Sequence, residues 1–234
     1  MVTVLISGES AGCETVLETG TVADAPEMVY RLRVVLAGIS PMIWRQLEVP
    51  ATLTLAQLHE VLQASFAWSG EHLHRFTVHG REYGSGDLWL ADPSTVGLVD
   101  LGLRERERFT YAYDFFSALM CWRHDIRVAA ITAPEPRRRY PWCSGGARAA
   151  PPQDCGGPDA FLALRQEHDP WTTALRMAAL AGVLLGAPHT STVREALGEA
   201  IEELPGLLYW SRIDRFDRAA LNRTLTTPLE KGTP

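Results

Sequence analysis

Two histidines in alternate positions are the first side chains in this sequence that could do chemistry. His72 and His74 begin a segment, continuing to residue 79, in which polar and apolar residues alternate as they do in a β-strand. Because alternate residues of a strand share one face, both imidazoles would point to the same side of a sheet. With other nitrogen, sulfur and oxygen donors they would form a site that suits zinc. The candidate metal ligands are His72, His74, His124, Cys143, Asp154 and Cys155.

A second interpretation of the histidines needs no metal. They would hydrogen-bond loop carbonyls and hold the Pro- and Gly-rich segment against the sheet. The four cysteines lack the Cys-x-x-Cys spacing of a typical zinc site, so reduced thiols are the default expectation. Cys143 and Cys155 lie in one Gly- and Pro-rich segment, where a disulfide or a shared metal is the alternative.

Asp114 is the candidate for proton transfer. It follows a strand-like segment and is adjacent to Phe115 and near two tyrosines, where burial would raise its pKa. The alternative is a strand-end carboxylate that accepts backbone N–H groups. The sequence contains no phosphate-binding loop, dinucleotide fingerprint or His-Glu-x-x-His motif. We therefore expect a binding module rather than an enzyme.

A short basic and aromatic run offers a third kind of chemistry. Arg137, Arg138 and Arg139 precede Tyr140, and guanidinium groups beside aromatic rings can hold single-stranded nucleic acid. The alternative is a solvated loop whose charge balances acidic neighbours. The net charge of −6 and the pI near 5.7 do not favour a nucleic-acid partner for the chain as a whole.

The elements that must position these groups follow from hydrophobic periodicity. Segments 29–36 and 42–49 predict two antiparallel strands joined by a Gly-Ile-Ser-Pro turn. Thr54 and Gln57 form a capping-box pattern, which predicts a helix across that hairpin. Strand-like segments recur at 73–79, 108–116 and 122–131. The predicted fold class is α+β, with a mostly antiparallel sheet, a covering helix and C-terminal helices.

We predict one main domain over residues 28–225, between an N-terminal arm (1–27) and a flexible tail (226–234). Its parts are a sheet core over about 28–132, a Pro/Gly/Cys loop over 133–158 and a helical part over 159–225. The chain has no apolar run of membrane-spanning length and no secretory leader, so we expect a cytoplasmic protein without a membrane partner.

Several short motifs together resemble the plasmid pRiA4b ORF-3-like family, some of whose members are described as TnpR passenger proteins of insertion elements. The likeness covers roughly residues 28–225. The residues that carry it are Ile43-Trp44-Arg45, Trp68, His72-Leu73-His74-Arg75-Phe76, Tyr83-Gly84, Tyr111–Phe115, Trp122–Ile126, Tyr140–Cys143, Pro151–Gly157, Phe216-Asp217 and Asn222.

What this resemblance implies is a family without an established biochemical activity. Two acids of the family pattern are absent here, because an apolar insert follows Asp114-Phe115 and Gln153 stands before Asp154. If the family uses those acids chemically, this member is inactive.

We expect a binding or accessory module associated with mobile or plasmid-borne bacterial DNA, with the groove between the sheet and the Pro/Gly loop as its contact surface. Its ligand is unidentified, and a protein partner would also fit. The alternatives are a zinc-type enzyme built on the metal ligands named above and nucleic-acid binding through Arg137–Arg139.

Overall fold

The computed structural model of the protein describes residues 28–115, 121–186 and 191–226. The predicted N-terminal arm, the apolar insert at 116–120 and nearly all of the predicted tail lie outside these residues. The elements, in chain order, are β1 (Val29–Leu36), β2 (Trp44–Pro50), α1 (Leu55–Phe66), β3 (His74–Val78), β4 (Arg81–Gly84), β5 (Arg108–Tyr113), β6 (Trp122–Thr132), β7 (Trp142–Ala147), α2 (Gly157–Glu167), α3 (Pro170–Gly186), α4 (Ser191–Ser211) and α5 (Arg218–Thr226).

The strands form one seven-stranded sheet in the order β4-β3-β5-β6-β1-β2-β7, and every neighbouring pair is antiparallel. This confirms the predicted α+β class. In the predicted β1–β2 hairpin, Leu32 lies opposite Leu47. Both side chains are fully buried, and the alternation along β1 places Arg31 and Arg33 on the other face. The sheet therefore has one apolar face and one polar face.

Helix α1 covers the apolar face, and its start is fixed by the predicted capping box. The backbone N–H of Gln57 donates to Thr54 Oγ1 over 3.2 Å, and the N–H of Thr54 donates to Gln57 Oε1 over 3.0 Å. The helix ends at Ala67, which adopts a left-handed conformation. Its apolar positions Leu55, Leu58, Val61, Leu62 and Phe66 are all buried in the core.

The Pro- and Gly-rich segment contains a strand that the sequence analysis did not predict. Strand β7 pairs with β2 at the edge of the sheet, where the preceding Pro141 removes no ladder hydrogen bond. Its glycines have a packing reason: a Cβ on Gly145 would lie 3.2 Å from the Trp44 ring, and one on Gly146 would clash with the Phe216 ring. The composition that suggested a loop therefore reflects close packing over an edge strand.

The segment after β7 docks on the sheet through two indole groups. Trp68 Nε1 donates to the carbonyl of Pro151 over 2.8 Å, and Trp122 Nε1 donates to that of Gln153 over 2.9 Å. The Gln153 side chain in turn accepts the backbone N–H of Ser69 over 2.8 Å. These bonds hold residues 151–153 against the end of α1 and the start of β6.

Helix α5 packs on β7, the strand that precedes this segment. Asp217 caps it, as its Oδ1 accepts the N–H of Ala220 over 2.8 Å. The buried amide of Asn222 then bonds both backbone groups of Cys143, with Oδ1 accepting N–H over 2.7 Å and Nδ2 donating to the carbonyl over 3.0 Å. No helix in the described ranges is long and apolar enough to span a membrane.

We predict that Asn222→Ala lowers the free energy of unfolding by about 2–3 kcal/mol, because it leaves the buried N–H of Cys143 without its side-chain acceptor. Urea denaturation followed by circular dichroism would measure this. Thr224→Ala, at an exposed position of the same helix, is the matched control and should change stability by less than about 0.5 kcal/mol. Equal effects of the two changes would contradict the role given to Asn222.

Candidate functional site

His72 lies between two carboxylates, one from the sheet and one from the docked segment. Its Nδ1 is 3.8 Å from Asp114 Oδ1, and its Nε2 is 3.5 Å from Asp154 Oδ1. Asp114 follows β5 with a positive φ of 52°, and its N–H donates to the carbonyl of Leu73. The predicted acid and two of the predicted ligands thus meet at the surface. An imidazole flanked by carboxylates can pass a proton, but such catalysis needs a bound substrate next to it.

His74 belongs to a different cluster from His72. Its ring stacks on that of His59 from α1, with centroids 3.8 Å apart, and its Nδ1 is 3.2 Å from Ser85 Oγ. His59 Nδ1 lies 2.7 Å from the hydroxyl of Tyr111, which also accepts the side-chain N–H of Gln63 over 2.7 Å. The sequence signal that could have found this cluster is the placement of His59 and Gln63, two polar residues four apart, near the apolar stripe of α1.

His124 is fully buried and neither of its ring nitrogens has a hydrogen-bond partner within the described ranges. Its ring packs edge-on against Phe66 and Trp68, with centroid distances of 4.6 and 5.4 Å. Burial lowers the pKa of His124 to about 3. Burial also lowers the pKa of His59 to about 3, helped by repulsion from His74, and that of His74 to about 4. All three imidazoles are therefore neutral at physiological pH.

The described cysteines are free thiols, and burial raises the pKa of each. Cys143 donates its S–H to the carbonyl of Gly145 over 3.2 Å, beneath α5 and beside Arg45. Metals bind the thiolate, and a buried, protonated thiol is a poor ligand. The disulfide alternative for Cys143 and Cys155 is likewise not realised.

The structure places the six predicted metal ligands, all of them in the described part of the chain, at several separate positions. Across the described part of the chain, no group of three or more His, Cys, Asp and Glu side chains is arranged to hold a metal ion. His72 and Asp154 meet at the surface, His74 stacks on His59, His124 lies within aromatic rings and Cys143 faces α5. Spacing in the sequence suggested one shared site, but the fold places these side chains in separate surroundings.

Only some side chains of the predicted nucleic-acid loop are exposed and able to contact a ligand. Arg138 is held by Glu48 at 2.8 Å and Glu135 at 2.7 Å, and its guanidinium lies 5.5 Å from the Trp142 ring centroid. Tyr140 uses its hydroxyl to accept the N–H of Glu135. Arg137 and Arg139 are exposed.

A buried arginine is the site residue that sequence analysis undervalued. Arg45 on β2 is only 2% exposed and donates to three carbonyls: Nε to Ser65 over 3.0 Å, and Nη1 to Trp44 and Ala147 over 2.8 and 3.1 Å. Burial lowers its pKa to about 10, so the guanidinium stays charged at neutral pH. It forms no ion pair with any carboxylate of the described residues, and we find no other fully buried cation there.

Arg45 lines a groove of about 750 Å³ between the end of α1, the segment after β7, and helices α4 and α5. The guanidinium lies 4.0 Å from the ring centroid of Phe216 and 5.1 Å from that of Phe66. At the rim, Arg212 and Arg215 are exposed. The groove combines an apolar wall with an excess of positive charge, and it is the cavity that best matches the predicted contact surface between sheet and loop.

The neutral histidines predict a specific pH dependence of stability. Their folded pKa values of about 3–4 lie below the unfolded value of about 6.5, so only the unfolded state binds these protons in between. The free energy of unfolding should fall as pH decreases from 6.5 toward 4, by up to about 1.4 kcal/mol per unit for each histidine.

We predict that His124→Leu removes the contribution of one histidine to this pH dependence, since neither ring nitrogen has a partner among the described residues and the surroundings are aromatic. Urea denaturation between pH 4.5 and 7.5 would measure the change. The exposed His79→Gln is the control and should retain the slope. An unaltered slope in His124→Leu would show that this imidazole is not neutral in the folded state.

Comparison with known proteins agrees with this fold. The chain is 33% identical over 138 residues to the uncharacterised protein y4hQ of Sinorhizobium fredii, which covers 56% of the chain and 68% of that protein. The structure of this chain is similar to the crystal structure of a protein of unknown function, MM3350 from Methanosarcina mazei Go1. The TM-score is 0.61, the sequence identity is 25%, and the match covers 84% of this chain and 98% of that one. Residues 28–175 match the family described as plasmid pRiA4b ORF-3-like protein, and the chain belongs to that family.

Proposed function

We propose that the protein is a binding module for a small organic anion, held in the groove that Arg45 lines. The observation that carries this proposal is the buried guanidinium of Arg45, which has no carboxylate partner within the described residues and stays charged at neutral pH. A desolvated cation without a counter-charge is costly, and an anionic ligand would offset that cost.

The charged side chains at the rim of the groove also favour an anionic ligand. Arg212 and Arg215 are exposed there, and the acid that shares the lining, Asp217, accepts the N–H of Ala220 as the cap of α5. The positive side chains thus outnumber the acid, and electrostatic attraction would orient the anionic group of the ligand toward β2.

The size and the walls of the groove define the rest of the ligand. A volume of about 750 Å³ suits a molecule of metabolite or drug size. The rings of Phe66 and Phe216 flank the guanidinium and would contact an aromatic or aliphatic body. The ligand class we propose is therefore an organic acid, with a carboxylate, sulfonate or phosphate group next to an apolar body.

The accessory role expected for this family would follow from such binding. In this proposal the module senses or sequesters an organic acid in a bacterium that carries plasmid-derived genes. The plasmid-based description of the family supports this setting.

The fluorescent probe 8-anilinonaphthalene-1-sulfonate combines an aromatic body with an anionic group, and its uncharged relative N-phenyl-1-naphthylamine lacks the sulfonate. We expect saturable, one-to-one binding of the sulfonate probe to the folded protein and weaker binding of the neutral one. Changing Arg212→Gln and Arg215→Gln together should weaken sulfonate binding by roughly 3–10-fold and leave the neutral probe unaffected. Fluorescence titration would measure both affinities.

The matched control is Arg81→Gln with Arg176→Gln, which changes the net charge equally at exposed positions outside the groove. A second variant, Thr224→Trp, places a large ring at the groove lining and should block both probes. Equal affinities for the two probes, or equal losses in the rim and control variants, would refute anion binding in this groove.

A further inference from the structure

The polar face of the sheet carries a row of three arginines in direct register. Arg33 on β1 lies opposite Arg127 on β6, and Arg127 lies opposite Arg108 on β5. Paired residues project to the same face, and neighbouring strands are about 4.8 Å apart. Three guanidinium groups therefore start from adjacent positions on one surface.

Such a row is unfavourable for the protein on its own. Like charges directly opposite each other destabilise an antiparallel sheet. The pKa of Arg33 is lowered, first by partial burial and then by the positive charge of Arg127. The arrangement therefore has a cost that an external anion would offset.

The other arginines of this face already have acidic partners. Each acid of the face is used by one or two of them, and the pairs are Arg31–Glu48 at 3.1 Å, Arg138–Glu48 at 2.8 Å, Arg75–Glu82 at 3.2 Å and Arg123–Asp125 at 3.5 Å. Within residues 28–115, 121–186 and 191–226, no carboxylate pairs with the row of Arg33, Arg127 and Arg108.

The row lies in a shallow depression of about 440 Å³, lined by the strands β1, β2, β5 and β6 and by Met42, without a helix. Aromatic groups lie at its side. The guanidinium of Arg33 stacks 3.3 Å above the ring centroid of Trp44, and that of Arg138 lies 5.5 Å from the Trp142 ring. The surface thus presents flat cationic and aromatic groups on an open sheet.

We infer that this face binds single-stranded nucleic acid, with Arg33, Arg127 and Arg108 contacting successive phosphates. Open sheets that combine basic and aromatic side chains suit single strands, whose unstacked bases are free to lie on them. A duplex would require an element that enters a groove, and the strands lining this depression provide none.

This inference places the nucleic-acid surface on the sheet instead of the 137–139 loop. Arg138 is engaged with Glu48 and Glu135, whereas the three arginines of the row have no such partners in the described chain. The inference is independent of the proposed anion groove, which lies on the apolar side of the sheet and involves none of these residues.

The test uses the full chain and a fluorescent oligodeoxythymidylate of about 20 nucleotides, with binding followed by anisotropy. Changing Arg33→Gln, Arg108→Gln and Arg127→Gln together should weaken binding at least about tenfold and reduce the slope of log K against log salt by about 2. The same triple variant should raise Tm by roughly 1–4 °C, because it removes repulsion within the row. Lost binding with unchanged or increased stability separates a binding surface from a structural one.

Arg81→Gln, Arg104→Gln and Arg176→Gln together form the control, since these exposed side chains lie outside the depression and the net charge changes equally. The control should retain the affinity and salt slope of the unaltered protein to within about twofold. Absence of oligonucleotide binding at roughly 50 mM salt, an equal loss in both triple variants, or equal affinity for a duplex of the same length would overturn the inference.

Discussion

The docking of the segment after β7 onto two indole N–H groups is the interaction on which the shape of the molecule depends. Trp68 and Trp122 each donate to a carbonyl of that segment, and Asn222 ties α5 to Cys143 in the preceding strand β7. The C-terminal helices also pack on the sheet through buried apolar side chains, among them Trp210, Ile213 and Leu221. The groove exists because its walls come from parts of the chain that these polar contacts and the shared core hold together.

Buried titratable groups are either charged or neutral, according to the hydrogen-bond acceptors around them. Arg45 keeps its charge, because three carbonyls accept its N–H groups and aromatic rings flank it. His124 has no such acceptor among the described residues, and burial lowers its pKa so that it packs as a neutral ring. The charged Arg45 can still attract an anionic ligand, whereas the neutral His124 cannot. The proposed function therefore rests on the arginine and not on the histidines.

The two faces of the sheet differ in kind. One face is covered by α1 and the C-terminal helices, which form a large groove with a buried cation. The other carries arginines that pair with acids of the same face, and three arginines in register that have no acidic partner within the described residues. A protein with a net charge of −6 can therefore present a locally positive surface, because the excess acids lie elsewhere in the chain.

Residue order alone was sufficient for the elements whose signals are local. The capping box at Thr54, the strand alternation of β1 and the Asp217 cap could be predicted, since each depends on neighbours along the chain. Strand β7 could not, because its glycines match the rings of Trp44 and Phe216, which arrive from distant segments.

The candidate site likewise combines features that the sequence predicts with features that only the fold shows. The sequence identified His72, Asp114 and Asp154, and the fold brought them together. It could not show that His74 stacks on His59, that Arg45 is buried with no acidic partner in the described part of the chain, or that three arginines align. Sequence determined which groups are present and which face each occupies, whereas tertiary structure decided which groups meet, because strand register and burial depend on contacts between residues far apart in the chain.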